Sequence, residues 1–325
     1  MDPIRIELPT GWSMGSVNAY LFTHPEIILV DTGDKAEDAW EALVDGLAAH
    51  GVAPRDISRV VITHPHVDHF GSARRIIDES DAMVWIFEQG APWLLESSTL
   101  WEQRANYYRD HFLPRTGLPA ETRQLIVAGN EQLRSMAVSV PEERIIPFRA
   151  GGELHMGGMG WQIIHTPGHA STQTVFYQPE TRQLISADML LAVVPVPIVE
   201  HPPAGRRDRD PALPQFMRSL AALEALEVDR VYPGHGRPFD DHRAVIARQR
   251  ERIESRKAQC LELIREGKST IPELLEIMYS HQPPVGRVTG LWMLVGYLDL
   301  LIDDGLVREE ELDGVSRYYP VPDRP

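Results

Sequence analysis

The stretch Thr63-His64-Pro65-His66-Val67-Asp68-His69 carries three histidines and one aspartate within six residues, directly after the apolar run Val60-Val61-Ile62. The run reads as a buried strand and the polar stretch as the turn in which it ends. Residues two apart do not share a helix face, so a helix would scatter these side chains. A strand end followed by a turn presents all four to one point. Imidazole and carboxylate together suit zinc and its borderline neighbours. The stretch therefore predicts metal chemistry at the end of a strand.

Outward from it, the chain alternates strands and helices. Strands are expected at 4–8, 17–22 and 27–30, the last ending in Asp31-Thr32-Gly33-Asp34. A helix over 35–50 carries Trp40, Leu43, Val44 and Leu47 on one face. The strand 59–62, a short helix through Ile76-Ile77 and a strand over 83–87 follow. Residues 90–142 change to a helical pattern with Trp93, Trp101, Tyr107, Tyr108 and Phe112. Strands resume at 144–148, 153–155, 161–165, 174–177 and 183–186, with a hairpin turn at Gly157-Gly158-Met159-Gly160. A Pro- and Arg-rich loop over 195–214, a helix over 216–226 and a strand over 230–232 complete this part. Three further strands run out into a metal-binding residue: Thr166-Pro167-Gly168-His169, Ala187-Asp188 and Pro233-Gly234-His235-Gly236. The repetition points to one site at the carboxyl ends of several strands.

After residue 240 the strands give way to a charged helix over 241–267. The capping box Thr270-Ile271-Pro272-Glu273 opens a second helix. An apolar helix over 289–304 and a hairpin around Asp313-Gly314 follow. Helix, helix, hairpin resembles a winged-helix module. The expected division is a catalytic domain over 1–240, with 90–142 as a helical insertion that forms a lid, and a small C-terminal domain over 241–325.

Composition narrows the function. A net charge of −15 disfavours nonspecific binding to nucleic acid or acidic membrane. No run of 18 apolar residues marks a membrane span. No basic-then-apolar start marks a signal peptide. The single Cys260 reads as a packed small hydrophobe and fits a reducing, cytoplasmic setting. Between 289 and 325, Arg308, Arg317 and Arg324 stand against eight acidic residues, which opposes a nucleic-acid role for the module. Its apolar helix reads instead as buried or homodimer-forming. His24, His50, His155, His242 and His281 read as surface or loop residues, and His165 as a strand residue.

The ordered set His64, His66, Asp68, His69, His169, Asp188 and His235 resembles the metallo-β-lactamase superfamily over residues 15–240. The resemblance implies an α/β fold, a four-layer αββα sandwich with the site at one edge. It implies that His64, His66 and His169 bind one metal, Asp68, His69 and His235 a second, and that Asp188 bridges them. Asp31, in the family-like Asp31-Thr32-Gly33, would support a ligand from behind. Two Zn ions are implied, with Fe or Mn the alternatives in one or both sites. The implied chemistry is hydrolysis by a bridging hydroxide, with Asp68 and Asp188 as catalytic carboxylates.

An aspartate at 188, with no cysteine there, turns the resemblance away from true β-lactamases. It points to glyoxalase II-type thioesterases and lactonases, and secondarily to β-lactamase-like endoribonucleases. The expected reaction is cleavage of a thioester or lactone-type ester. A mononuclear iron oxygenase of the persulfide dioxygenase type, using only His64, His169 and Asp188, is the third reading. The substrate is expected to be a small molecule, anionic or an acylated carrier thiol. Candidate contacts are Tyr107, Tyr108 and His111 in the insertion, His201, Arg206 and Arg207 in the loop after Asp188, and Arg252 beside Arg248 and Arg256. Each has a plainer reading: the aromatics as a packing face, the arginines as a solvated helix face paired to Glu251 and Glu254.

Overall fold

The computed structural model describes residues 2–11, 15–203, 206 and 208–322. The first sheet is built in chain order from β1 (Ile4–Leu8), β2 (Val17–Phe22), β3 (Ile28–Val30), β4 (Arg59–Ile62), β5 (Met83–Phe87) and β6 (Ile145–Phe148). Its first three strands are antiparallel, and β3 through β6 run parallel. Parallel strands need crossovers. These are α1 (Glu37–Ala48), then α2 (Val67–Phe70) with α3 (Ala73–Glu79), then the 90–142 insertion. The second sheet orders β11 (Arg230–Pro233), β10 (Gln183–Ala187), β9 (Thr174–Gln178), β8 (Met159–His165) and β7 (Glu153–Met156). The β7–β8 turn places Gly157 at φ 63° and Gly158 at φ 76°, the left-handed pair that a two-residue hairpin loop requires.

Side-chain alternation sorts the apolar residues into layers. Val60 and Ile62 face α1 and α3 in one core, with Leu43, Leu47, Ile76 and Phe70. Val61 faces the other way, into a core between the sheets with Phe22, Trp161, Phe176 and Tyr232. Edge-on aromatic pairs cross that interface: Tyr20 with Tyr232 at 5.6 Å, Phe22 with Trp161 at 5.8 Å and Phe148 with Phe176 at 5.9 Å. The outer face of the second sheet, with Val175, Leu184 and Val231, packs against helices in a third core. Helix, sheet, sheet, helix is the expected αββα sandwich.

The insertion comprises α4 (Ala91–Leu95), α5 (Ser97–Tyr107), a π-helical turn at Tyr108–Phe112, α6 (Leu113–Arg115) and α7 (Ala120–Met136). After α8 (Ala212–Glu224) and β11 come α9 (His242–Arg265), α10 (Ile271–Tyr279), α11 (Pro284–Asp303) and the hairpin β12 (Val307–Leu312) with β13 (Val315–Pro320). Glu273 reaches back to accept from the Thr270 and Ser269 N–H groups, as the capping box requires. Helix α11 begins a turn earlier than the apolar pattern implied, so Arg287 lies within it. Proline at a first helical position marks that start. Arg287 is not free, pairing with Glu276 and the Ser280 and Gln282 carbonyls.

One core unites these late helices with the insertion. Tyr108, Leu113 and Ile126 share it with Leu213 and Phe216 of α8, Ile253 and Cys260 of α9, and Leu291, Trp292, Leu294 and Leu298 of α11. The apolarity of α11 is thus consumed within the chain. Cys260 is fully buried, and burial pushes its thiol up to about 12, the behaviour of a packed hydrophobe. No helix among the described residues is long and apolar enough to cross a membrane.

Candidate metal centre

The site lies where the sheets meet at one edge. The N–H and the hydroxyl of Thr174, opening β9, both donate to the Thr63 carbonyl just past β4, at 3.0 Å each. That junction brings the 63–69 turn against the ends of β8, β10 and β11. Asp31 follows β3 in the left-handed region, φ 59°, which a short Asp side chain tolerates. Its carboxylate accepts from the Thr63 N–H at 2.9 Å and the Thr63 hydroxyl at 2.8 Å, and faces His69 Nδ1 at 2.8 Å. It stands behind the His69 ring, on the side away from Nε2.

Partners on the outer ring nitrogens fix the tautomers. His69 Nδ1 faces Asp31, His169 Nδ1 faces the Val196 carbonyl at 3.0 Å, and His235 Nδ1 faces the Ser16 carbonyl at 2.8 Å. His64 Nδ1 lies 3.0 Å from the Thr63 hydroxyl, whose proton goes to Asp31. In each case Nδ1 is the donor and Nε2 faces inward, as a lone pair in His64 and His169. His64 Nε2 and His169 Nε2 then converge on His66 Nδ1, at 3.0 and 2.9 Å. His66 Nδ1 can donate a proton to only one of them at full strength, whereas a cation among the three nitrogens would take all three lone pairs.

The second group is equally close. Asp188 lies 3.5 Å from His69 Nε2, 3.4 Å from His169 Nε2 and 3.4 Å from His235 Nε2. Asp68 stands 3.5 Å from His235 Nε2 and 3.8 Å from His69 Nε2. Asp188 therefore touches histidines of both groups, the position that a bridging carboxylate needs. Three buried atoms here have no hydrogen-bond partner: His69 Nε2, His235 Nε2 and Asp188 Oδ1. Orphaned buried polar atoms call for an explanation, and a donor set of imidazoles and carboxylates fits divalent metal. His64, His66 and His169 form one group able to hold an ion, and Asp68, His69 and His235 another.

Electrostatics divide the groups. Burial and neighbouring imidazoles hold His64 and His66 well below the usual range, and burial keeps His169 low. These are neutral ligands in waiting. Burial opposes the charging of His235, but Asp188 and Asp68 push it up to about 10. The same carboxylates and Asp31 raise His69 against its own burial. Burial would raise Asp188, yet His69 and His235 hold it well below the ordinary carboxylate range. A metal held in this half would have to displace protons from His69 and His235.

Backbone shape aims the ligands. Pairing of β10 with β11 slips between Ile185 and Ala187, and Ala187 takes φ 43° so that Asp188 swings off the strand. Gly234 lies beside it, and a Cβ there would collide with Asp188 Oδ1 and stand 3.0 Å from His69 Cε1. The Asn18 amide donates to the Pro233 and Gly236 carbonyls at 2.8 Å each, clamping that turn.

With this geometry, family comparison is decisive: a family model described as the metallo-beta-lactamase superfamily matches residues 12–235. The chain belongs to the metallo-beta-lactamase superfamily. It is 28% identical over 302 residues to the probable metallo-hydrolase YqjP of Bacillus subtilis (strain 168), covering 92% of each chain. It is 23% identical over 288 residues to an atrochrysone carboxyl ACP thioesterase of Aspergillus fumigatus, covering 85% of this chain and 72% of that one. A crystal structure of a metallo-beta-lactamase family protein from Thermus thermophilus superposes with a TM-score of 0.80, at 26% identity and 98% coverage of both chains. The insertion and the C-terminal segment thus belong to an architecture shared with that superfamily member.

The expected substrate contacts divide. Tyr107, His111 and Arg206 line a cavity of about 870 Å³ between the insertion, the loop after Asp188 and the hairpin. No residue of the metal groups lines it. Arg206 is paired there with Asp210 at 2.7 Å. Tyr108 is a correction: it is buried, its hydroxyl donates to the Val199 carbonyl, and its ring packs 5.3 Å from Trp292. His201 stacks on Trp93 at 5.8 Å. Arg252 is exposed and forms no ion pair with Glu251 or Glu254, while Arg256 donates to the Met278 carbonyl. Arg207 lies outside the described residues. His242, expected at the surface, is buried against the end of α8. The sequence reading missed Thr63, Asn18 and Gly234. Only the Pro-Gly-His-Gly turn carried a signal for the last.

Proposed function

We propose that the chain is a di-zinc hydrolase that cleaves a thioester or lactone-type ester of a small molecule. The observation that carries this is the convergence of six inward-facing imidazole and carboxylate groups around Asp188, with His69 Nε2, His235 Nε2 and Asp188 Oδ1 unpartnered. Two zinc ions held there would supply a Lewis acid and a water whose pKa is lowered to about 7. His64, His66 and His169 would hold one ion, Asp68, His69 and His235 the other, and Asp188 both. The likeness to a thioesterase over 85% of the chain supports the thioester in particular.

The protein's own residues prepare the site in three ways. Asp31 and the Ser16 and Val196 carbonyls hold His69, His235 and His169 in one tautomer, so no reorientation accompanies each turnover. Asp68, its Oδ2 3.5 Å from His235 Nε2, is placed to orient the attacking water and take its proton. Buried walls exclude bulk water and strengthen every charge interaction inside. The endoribonuclease reading is opposed by the net charge of −15 and by α11, whose apolar residues are spent in the chain's own core.

Metal analysis of the purified protein tests the reading first: two zinc per chain support it. One iron with oxygen uptake on a persulfide would replace it with the oxygenase. A panel of acyl thioesters, lactones, phosphodiesters and single-stranded RNA then identifies the bond.

A further inference from the structure

Arg104 is 5% exposed, on α5 of the insertion. Its guanidinium lies 3.9 Å from the centre of the Trp101 ring, 5.7 Å from Trp93 and 5.9 Å from Tyr108. Only Nε is engaged, donating to Asn130 Oδ1 at 3.0 Å. No carboxylate among the described residues stands within ion-pair distance of it. Glu200, on the loop that covers the cage, instead accepts from the Ser171 N–H at 3.0 Å. Arg104 keeps a thin edge of exposure, and its terminal nitrogens make no hydrogen bond among the described residues. A guanidinium taken this far out of water normally has an anionic partner. Here the aromatic faces supply part of that compensation, and the fork of terminal N–H groups is left open.

The cage borders the metal centre through one short loop. The loop touches His169 twice, the Val196 carbonyl facing His169 Nδ1 at 3.0 Å and the Ile198 N–H donating to the His169 carbonyl at 3.2 Å. Three residues further it touches the cage, the Val199 carbonyl accepting from Tyr108 and His201 stacking on Trp93. The Arg104 charge is also felt at His66.

We propose that Arg104 is a specificity-determining residue that binds an oxyanion, a carboxylate above all, carried by the substrate beside the bond that is cut. The word substrate rests on the hydrolase reading; the anion site does not. A planar guanidinium walled by aromatic rings suits a carboxylate held by two parallel N–H bonds, with flanking carbon against Trp93 and Trp101. An acyl group with no charge makes no use of it.

Trp93 and Trp101 report on the site directly. Glutarate, titrated into the purified metal-loaded protein, changes the tryptophan fluorescence with saturation, whereas the neutral diamide of glutarate does not. Arg104→Gln weakens glutarate binding about 10- to 100-fold, the range for a lost charge-assisted hydrogen bond. Arg104→Lys, which keeps the charge and loses the fork, falls between the two. It serves alone if the glutamine variant does not fold. Unchanged glutarate affinity in either folded variant overturns the assignment. Hydrolysis of matched thioesters gives the second readout. One pair is succinyl and butyryl on a neutral thiol; the other is butyryl on 3-mercaptopropionate and on its methyl ester. Arg104→Gln raises KM for the charged member of one pair and leaves both neutral members within about 3-fold. The pair affected tells whether the acyl or the thiol side carries the anion. Equal losses on charged and neutral members reduce Arg104 to a brace for the insertion and sink the proposal. Arg104-dependent glutarate binding without cleavage of any thioester leaves the anion site standing and removes the hydrolase reading instead.

Discussion

Arg209 and Asp299 tie the loop after Asp188 to α11, and breaking the pair on one side is expected to hurt far more than replacing it. Arg209 donates to the two oxygens of Asp299 at 2.8 and 2.7 Å, with the side chains only 19% and 13% exposed. Burial raises the Asp299 carboxyl although Arg209 opposes it, whereas Asp299 raises Arg209 against its own burial, so attraction and desolvation are close to balanced in the pair. Asp299→Ala then strands a mostly buried guanidinium against Phe112 and Tyr107. Loss of one partner of such a pair costs about 3–5 kcal/mol. The thin edge of solvent at this pair argues for roughly 3. Arg209→Met with Asp299→Leu fills the same space without charge and should unfold within about 1 kcal/mol of the parent. Urea denaturation of the parent, Arg209→Met, Asp299→Leu and the double variant gives the coupling directly, expected at about 2 kcal/mol or more. A double variant that loses the full sum of the single losses, or an Asp299→Ala within about 0.5 kcal/mol of the parent, refutes the reasoning.

Other changes probe the centre itself. Asp188→Ala should abolish hydrolysis and lower bound metal; unchanged turnover with both metals retained contradicts the bridge. Asp31→Asn keeps the shape but not the charge behind His69, and should weaken metal binding or activity about 10- to 100-fold by competition with a chelator. Gly234→Ala should displace the Asp188 carboxylate and lower metal content while the protein stays folded, read by elemental analysis beside circular dichroism. Cys260, with its thiol near 12, should resist thiol reagents at pH 8 in the native protein and react once urea unfolds it.

Much of the sandwich was legible because each buried strand is a short apolar run that stops at turn residues. The candidate metal centre was legible for the same reason: Ile62, Ala187 and Pro233 each close a strand just before a residue of the histidine and aspartate groups. What escaped depends on contacts between distant segments. Nothing near Arg104 in sequence announces Trp93 beside it or the absence of a carboxylate. The aromatic stripe of the insertion fitted both a lid and a packing face, and its two tyrosines part ways. Tyr108 packs against Trp292 of α11, whereas Tyr107 lines a cavity. Gly234 looked like turn chemistry, and its real constraint is the Asp188 oxygen arriving from another strand.

Ala187, in the left-handed region at φ 43°, is a joint that glycine would make more cheaply. A residue with a Cβ is strained there by roughly 1 kcal/mol. Glycine would relieve that strain but would also open many other backbone directions at the hinge from which Asp188 hangs. The methyl group removes much of that range, and the buried surroundings of Ala187 hold the strained state that is left. Stability given up at a single backbone dihedral is returned as aim, and a screen that selects only for heat resistance should find Ala187→Gly and lose the enzyme's accuracy with it.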